Sequence, residues 1–355
     1  MRYLFYLGHP AHFHLFKNLV PQLKSAGHTT KVLIKKKDIL EQLLNDSGWE
    51  YTNIMQGDRG DSKMQIATSL LKRDWAIMRI ARAFKPDLMI GTSTELNQVG
   101  ALLGIPSVNV NEDDASAVPL FAKMGYPFAT RILAPECCDC GKWNYKKISH
   151  KSYHELAYLH PDHFIPDRSI IEKYKLGERF FILRFAKLNA HHDAGRTGIT
   201  EGIAARIIQL LSPSGNVFIT SERKLEPQFE KYRIAIPPLE IHNALYFASM
   251  YIGDSQTMAA EAAVLGTPSI RFNDFVNELS YLDELEKKFG LTIGIKANSP
   301  EKLLQTIKEL LSIHGIKHKW EEKRKLMLND RGNLTNIMFD LFTNQVSQII
   351  KNNKI

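Results

Sequence analysis

Tyr251 and Ile252 close a short apolar run, the chain turns through Gly253, Asp254, Ser255, Gln256 and Thr257, and an alanine-rich stretch follows from Met258 to Leu265. A helix starting on such a turn directs its first backbone N–H groups into it. Those unpaired donors and the helix dipole together favour a phosphate. Asp254, Ser255, Gln256 and Thr257 are therefore candidate ligand-binding residues, with the bland alternative that Ser255 or Thr257 only caps the helix. Glu261 lies one turn further on, four residues past Thr257 and on the same face, among Ala259, Ala260, Ala262 and Ala263. Capping does not explain an acid on so small and apolar a face. A carboxylate there can accept from both hydroxyls of a ribose while a diphosphate rests on the helix end.

A second constellation is Gly8-His9-Pro10-Ala11-His12-Phe13-His14, at the end of the first predicted strand, where open α/β sheets place their ligands. Histidine titrates near neutrality and can take a proton from a hydroxyl. Any one of the three can instead cap the next helix or bond a backbone carbonyl. A base histidine usually needs an orienting carboxylate, and Glu95, Glu112, Asp113 and Asp114 follow strand candidates on the same sheet edge. In the second half, Arg184 and Lys187 follow a strand and can neutralise a departing diphosphate without a metal. Ser221 follows the next strand and is a candidate contact to a base or phosphate, or part of a simple turn.

Two groups resemble metal sites and are read against metal. In His191-His192-Asp193 adjacent side chains diverge, and no His-x-x-x-His pair is present. Cys137, Cys138 and Cys140 crowd one loop near His150 and His154, but neighbouring cysteines rarely make a tetrahedron and an odd count gives no disulfide framework. Free thiols and no metal are expected. Gly195-Arg196-Thr197-Gly198 reads as a loop that closes over a ligand.

These residues need a scaffold, and 355 residues are enough for two ordinary domains. The 44% apolar and 24% charged fractions are those of a globular protein. No run approaches the roughly 20 uncharged apolar residues of a membrane span. Met1 to Gly8 is too short for a signal peptide and reads as a buried strand, so a cytoplasmic protein is expected. The net charge of +8 favours phosphate-bearing substrates or an anionic membrane face. Its basic residues lack the aromatic interleaving of RNA readers, and no nucleic-acid partner is expected.

Apolar runs and helical spacing alternate along both halves. Strands are predicted at Tyr3 to Leu7, Thr29 to Ile34, Tyr51 to Met55, Leu88 to Ile90 and Ser107 to Val110, with helices at His14 to Ser25 and Asp38 to Leu44. The second half repeats the pattern: strands at Arg179 to Phe185, Asn216 to Thr220, Met250 to Ile252 and Pro268 to Phe272, helices at Gly198 to Leu211, Ile241 to Ala248 and Thr257 to Leu265. Beyond Ser299 three helical segments follow, the last from Thr335 to Ile350. Alternation of this kind predicts an α/β protein with two doubly wound domains. Their expected limits are 1–165 and 166–335, with 336–355 a terminal helix.

The frame Asp254-Ser255, Glu261-Ala262 and Gly266-Thr267-Pro268 resembles the donor segment of GT-B sugar-nucleotide enzymes, among them MurG-type glycosyltransferases and UDP-N-acetylglucosamine 2-epimerases. Overall the chain resembles a bacterial and archaeal domain-of-unknown-function family of predicted GT-B glycosyltransferases. That resemblance implies two Rossmann-type domains facing a central cleft, a nucleotide-diphosphate sugar as substrate with no separate cofactor, and a terminal helix crossing back to the first domain. It implies that Ser255 contacts the diphosphate and Glu261 the ribose. Inverting UDP-glycosyltransferases open their first helix with a base histidine. Setting His12 there puts Leu19 and Leu23 on the buried face and Gly27-His28 at the closing Gly-His pair; His9 is the second choice.

The implied reaction is sugar transfer to a saccharide or lipid-linked acceptor in surface polysaccharide synthesis, with peripheral membrane contact. One alternative is a 2-epimerase, whose family places acids where this chain has Thr92 and Asn111. The other is a non-catalytic scaffold that binds nucleotide sugar.

Overall fold

A computed structural model describes residues 1–35, 39–55, 63–186 and 198–350. The chain divides into two compact units, Met1–His163 with Gly332–Ile355, and Phe164–Arg331.

The first unit begins with β1 (Arg2–Leu7), α1 (Pro10–Phe16), α2 (Leu19–Ser25), β2 (Thr29–Ile34), α3 (Leu40–Asp46) and β3 (Thr52–Asn53). It continues through α4 (Lys63–Phe84), β4 (Leu88–Gly91), α5 (Thr94–Leu103), β5 (Ser107–Val110), α6 (Pro119–Gly125), β6 (Arg131–Pro135) and β7 (Lys147–His150). Its parallel sheet runs β3-β2-β1-β4-β5-β6-β7. Tyr3 to Leu7 are all buried, as a central parallel strand covered on both faces requires. Leu4, Tyr6, Leu33, Met89 and Leu96 pack one core face with Ile77 and Ala81 of α4.

The expected helix from His14 to Ser25 is two helices. Pro21 has no N–H for the carbonyl of Lys17, and its ring clashes with that carbonyl in a continuous helix. The chain therefore breaks at Lys17 and Asn18, and α2 restarts with Pro21 inside its first turn. The predicted last helix also breaks, between Thr343 and Val346. The helices α4, α5 and α6 and the strands β6 and β7 were not among the expected elements.

The second unit holds α7 (Ser169–Lys173), β8 (Phe180–Phe185), α8 (Glu201–Leu211), β9 (Asn216–Ser221), α9 (Ile241–Phe247), β10 (Met250–Gly253) and α10 (Gln256–Val264). Then follow β11 (Ser269–Phe272), α11 (Ser280–Lys287), β12 (Thr292–Ile295), α12 (Pro300–Ser312) and α13 (Ile316–Asp330). The sheet is again parallel, in the order β12-β11-β10-β8-β9.

After Arg331 the chain returns to the first unit as α14 (Leu334–Thr343) and α15 (Val346–Ile350). The Tyr3 hydroxyl donates to Phe342 O at 2.6 Å, and Thr335 Oγ1 donates to Ala157 O at 2.8 Å. Among the described residues no helix is long and apolar enough to cross a membrane.

Candidate functional site

In open α/β sheets the strand order reverses at one point, and the loops there leave a crevice outside the strand ends. In the second unit that point lies between β8 and β10. Arg184 stands near the end of β8, opposite Gly253 of β10. Asp254 and Ser255 follow β10 directly. The topology thus brings Arg184, Asp254, Ser255, Gln256 and Thr257 to one sheet edge.

Ser255 is the N-cap of α10, its Oγ accepting from the Met258 N–H at 3.4 Å. Gln256 is half-buried and Thr257 exposed. Between the two hydroxyls, the cap is therefore Ser255. Asp254 has a different task. It is buried, and its carboxylate accepts from the N–H of Ala186 at 2.6 Å and of Ile199 at 3.1 Å. A Cβ on Gly198 would lie 2.5 Å from Asp254 Oδ2, so the chain passes too close for a side chain. Burial pushes the Asp254 carboxyl up to about 6, against the pull of those two N–H groups. The Asn273 side-chain amide donates to Asp254 O at 2.9 Å and secures the turn from β11. Asp254 thus shapes the turn through these backbone contacts.

Arg184 Nη1 donates to Thr220 Oγ1 at 2.8 Å, and Nη2 is paired with Glu222. A phosphate reaching this guanidinium would compete with Glu222. Ser221 Oγ donates to Arg223 O at 2.7 Å and accepts from the Arg223 N–H at 3.2 Å, closing its own turn. Arg223 lies 5.0 Å over the Phe185 ring and donates to Ile199 O at 2.5 Å. Lys187, His191, His192, Asp193 and the segment Gly195 to Thr197 lie outside the described residues.

Glu261 is buried, and its Oε1 lies 3.0 Å from Nε2 of His242 on α9. The acid on the alanine face is therefore neither solvated nor alone. His242 was missed in the sequence, where one histidine in an apolar helix reads as core. Its only signal is its place on the helix before the strand that feeds the Glu261 turn.

In the first unit the order reverses between β1 and β4. His12 follows β1 and Thr92 follows β4, and the two meet: Thr92 Oγ1 lies 2.5 Å from His12 Nε2. The Gly8 N–H donates to His12 Nδ1 at 3.1 Å, which favours a neutral ring with its proton on Nε2, and Thr92 Oγ1 also lies 2.8 Å from Nδ1. His9 is the N-cap of α1 and accepts from the Ala11 N–H at 3.2 Å. Its ring centroid is 5.9 Å from that of His12. His14 is buried and stacks on Tyr158.

Beside the His12 ring lies the Thr92 hydroxyl. Glu95 holds Arg73 at 2.7 Å and accepts from Thr94 at 3.0 Å. Asp114 accepts from the Asp139 N–H at 2.6 Å. Glu112 accepts from the His154 N–H at 3.0 Å, with its other oxygen 3.3 Å from His154 Nδ1. Burial and nearby Glu155 push Glu112 well up, and burial pushes His154 down to about 3. Burial thus disfavours the charged form of both partners in this contact.

The Sγ atoms of Cys137 and Cys138 lie 4.0 Å apart, and the Cys138 thiol donates to Glu112 O at 2.9 Å. All three cysteines are free. Among the described residues no group of three or more His, Cys, Asp or Glu is arranged to hold a metal.

A family model described as "Protein of unknown function (DUF354)" matches residues 5–347, and the chain belongs to that family. No curated protein matches the sequence at a significant level. Among solved structures, the UDP-GlcNAc 2-epimerase of Neisseria meningitidis bound to UDP-GlcNAc superposes with a TM-score of 0.65 at 15% identity, covering 99% of this chain and 100% of that one. The spinosyn forosaminyltransferase SpnP gives 0.66 at 14%, covering 98% and 99%. The spinosyn rhamnosyltransferase SpnG, complexed with thymidine diphosphate, gives 0.64 at 14%, covering 97% and 100%. At such identities the likeness shows the fold: GT-B, with two Rossmann-like domains.

Proposed function

With membership of the DUF354 family as the premise, we propose that the protein is a metal-independent glycosyltransferase that uses a nucleotide-diphosphate sugar. The observation that carries the reading is the turn between β10 and α10. A Ser255-capped helix start stands at the sheet's switch point, with a carboxylate, Glu261, one turn further in. Open N–H groups there suit a diphosphate and the acid suits a ribose. Proteins of the same fold hold UDP-GlcNAc and thymidine diphosphate, which supports a nucleotide sugar as ligand.

In the proposed reaction the oxygen of an acceptor hydroxyl bonds to the anomeric carbon, the bond from that carbon to the diphosphate oxygen breaks, and a histidine takes the hydroxyl proton. His12 is the proposed base, because it stands at the switch point while His9 is spent on a helix cap. To receive a proton at Nε2 the ring must carry its own at Nδ1, which releases the Gly8 N–H. The leaving diphosphate is held by the α10 start, and by Arg184 once Glu222 yields. A saccharide or lipid-linked acceptor of surface polysaccharide synthesis fits this chemistry. The charge of +8 favours an anionic membrane face for a lipid-linked one. A 2-epimerase would need an acid to take the C2 proton; Thr92 stands in that place with its hydroxyl against His12.

The test is incubation of purified protein with UDP-, dTDP- and GDP-sugars, with and without saccharide and lipid-linked acceptors. Release of nucleoside diphosphate with transfer is expected. Interconversion at C2 would replace transfer by epimerisation. A raised melting temperature without turnover would replace it by a binding scaffold. If no nucleotide raises the melting temperature, the donor-site reading fails.

A further inference from the structure

Glu261 and His242 are 7% and 3% exposed, and both lie on helices that pack together, α10 and α9. When Glu261 is ionised its carboxylate only accepts hydrogen bonds, and the His242 ring nitrogen 3.0 Å from Oε1 is then the donor, with the proton on Nε2. A donor fixed on one carboxylate oxygen restricts rotation of the side chain and sets the plane of the carboxylate. Binding groups keep their geometry when a supporting residue locks them in this way.

We infer that His242 is a positioning residue: it holds Glu261 in the orientation that receives the ribose hydroxyls of a bound nucleotide. It thereby sets the preference for ribo- over 2′-deoxyribonucleotides. The inference rests on the donor-site reading above and adds to it a residue that touches no ligand. A pair that only ties α9 to α10 would affect stability and leave ribose discrimination unchanged.

The experiment measures calorimetric Kd values for UDP and 2′-deoxy-UDP, and for GDP and 2′-deoxy-GDP, on wild type, His242→Phe, His242→Gln and Glu261→Gln, with melting temperatures alongside. Wild type should prefer the ribo form by about tenfold, the size expected of a hydrogen bond to a charged group. His242→Phe keeps a ring but cannot donate, and should bring the two forms close to parity by weakening the ribo form alone. His242→Gln supplies an N–H and should restore most of the preference. If His242→Phe does not fold, His242→Asn, whose amide is too short to reach, tests the same loss.

A His242 variant without a donor that keeps the wild-type ratio, while Glu261→Gln loses it, overturns the positioning role and leaves the donor site standing. A wild type that binds nucleotide without ribose preference overturns the role too. If Glu261→Gln keeps the wild-type ratio, or no nucleotide binds at all, the donor-site reading falls and the inference with it.

Discussion

One backbone hydrogen bond decides how His12 can work. The Gly8 N–H on Nδ1 favours the ring's proton at Nε2, beside the Thr92 hydroxyl. In that tautomer a base gains its Nε2 lone pair only when the ring's proton moves to Nδ1. His12→Ala should lower kcat by about 10²–10⁴ while leaving the donor KM near wild type, as loss of a general base predicts. A steady-state assay that finds kcat intact would remove the base from His12. Asp254 gives a second residue-scale prediction. Its carboxyl is raised from 3.8 to about 6 by burial, so the folded state favours the protonated form. The stability this contributes is full below pH 3.8 and is lost as pH rises through about 6. Urea unfolding of wild type and Asp254→Asn should show wild type losing ground to the variant between about pH 4 and 6.5. His154, pushed down to about 3, acts in the opposite sense in both proteins: its contribution is lost as pH falls below about 6.5, and it cancels in the comparison.

At the scale of elements, the legible parts are those whose residues face a core on a regular period. The predicted bounds of β2 (Thr29–Ile34) and β5 (Ser107–Val110) coincide with the observed ones. The edge strand β7, Lys147 to His150, is half-exposed over most of its length and leaves no apolar run to read. The division of α1 from α2 was legible in Pro21, whose effect on the Lys17 carbonyl is local chemistry, but helical spacing across the break masked it. Arg271 on β11 could not be anticipated. It is fully buried, and Nε, Nη1 and Nη2 have no hydrogen-bond partner among the described residues, with Glu286 at 3.8 Å. A buried charge so poorly paired costs more than it returns. Arg271→Met should therefore raise stability, by about 1–3 kcal/mol, the cost of leaving a buried polar group without a hydrogen-bond partner. A lower urea midpoint would show that the guanidinium has a partner in solution.

At the scale of the molecule, the chain leaves its first unit after His163 and re-enters it at Gly332. Tyr3 to Phe342 and Thr335 to Ala157 are hydrogen bonds between the two sequence segments that make up that unit. Removal of residues 332–355 should therefore destabilise Met1–His163 and spare Phe164–Arg331. Differential scanning calorimetry should show one transition moving down by several degrees and the other staying; a uniform shift of both would contradict independent units. Local chemistry is what the amino-acid sequence determined by itself: two α/β halves, a phosphate-suited turn at Asp254 to Thr257, an acid at Glu261 and histidines after the first strand. Each depends on neighbours within one or two turns of chain. The partners were decided by tertiary structure alone. Arg184 meets Glu222 and His12 meets Thr92 because parallel strands far apart in sequence end side by side, and Glu261 meets His242 because α9 and α10 pack together. No local period records which strand ends will be neighbours.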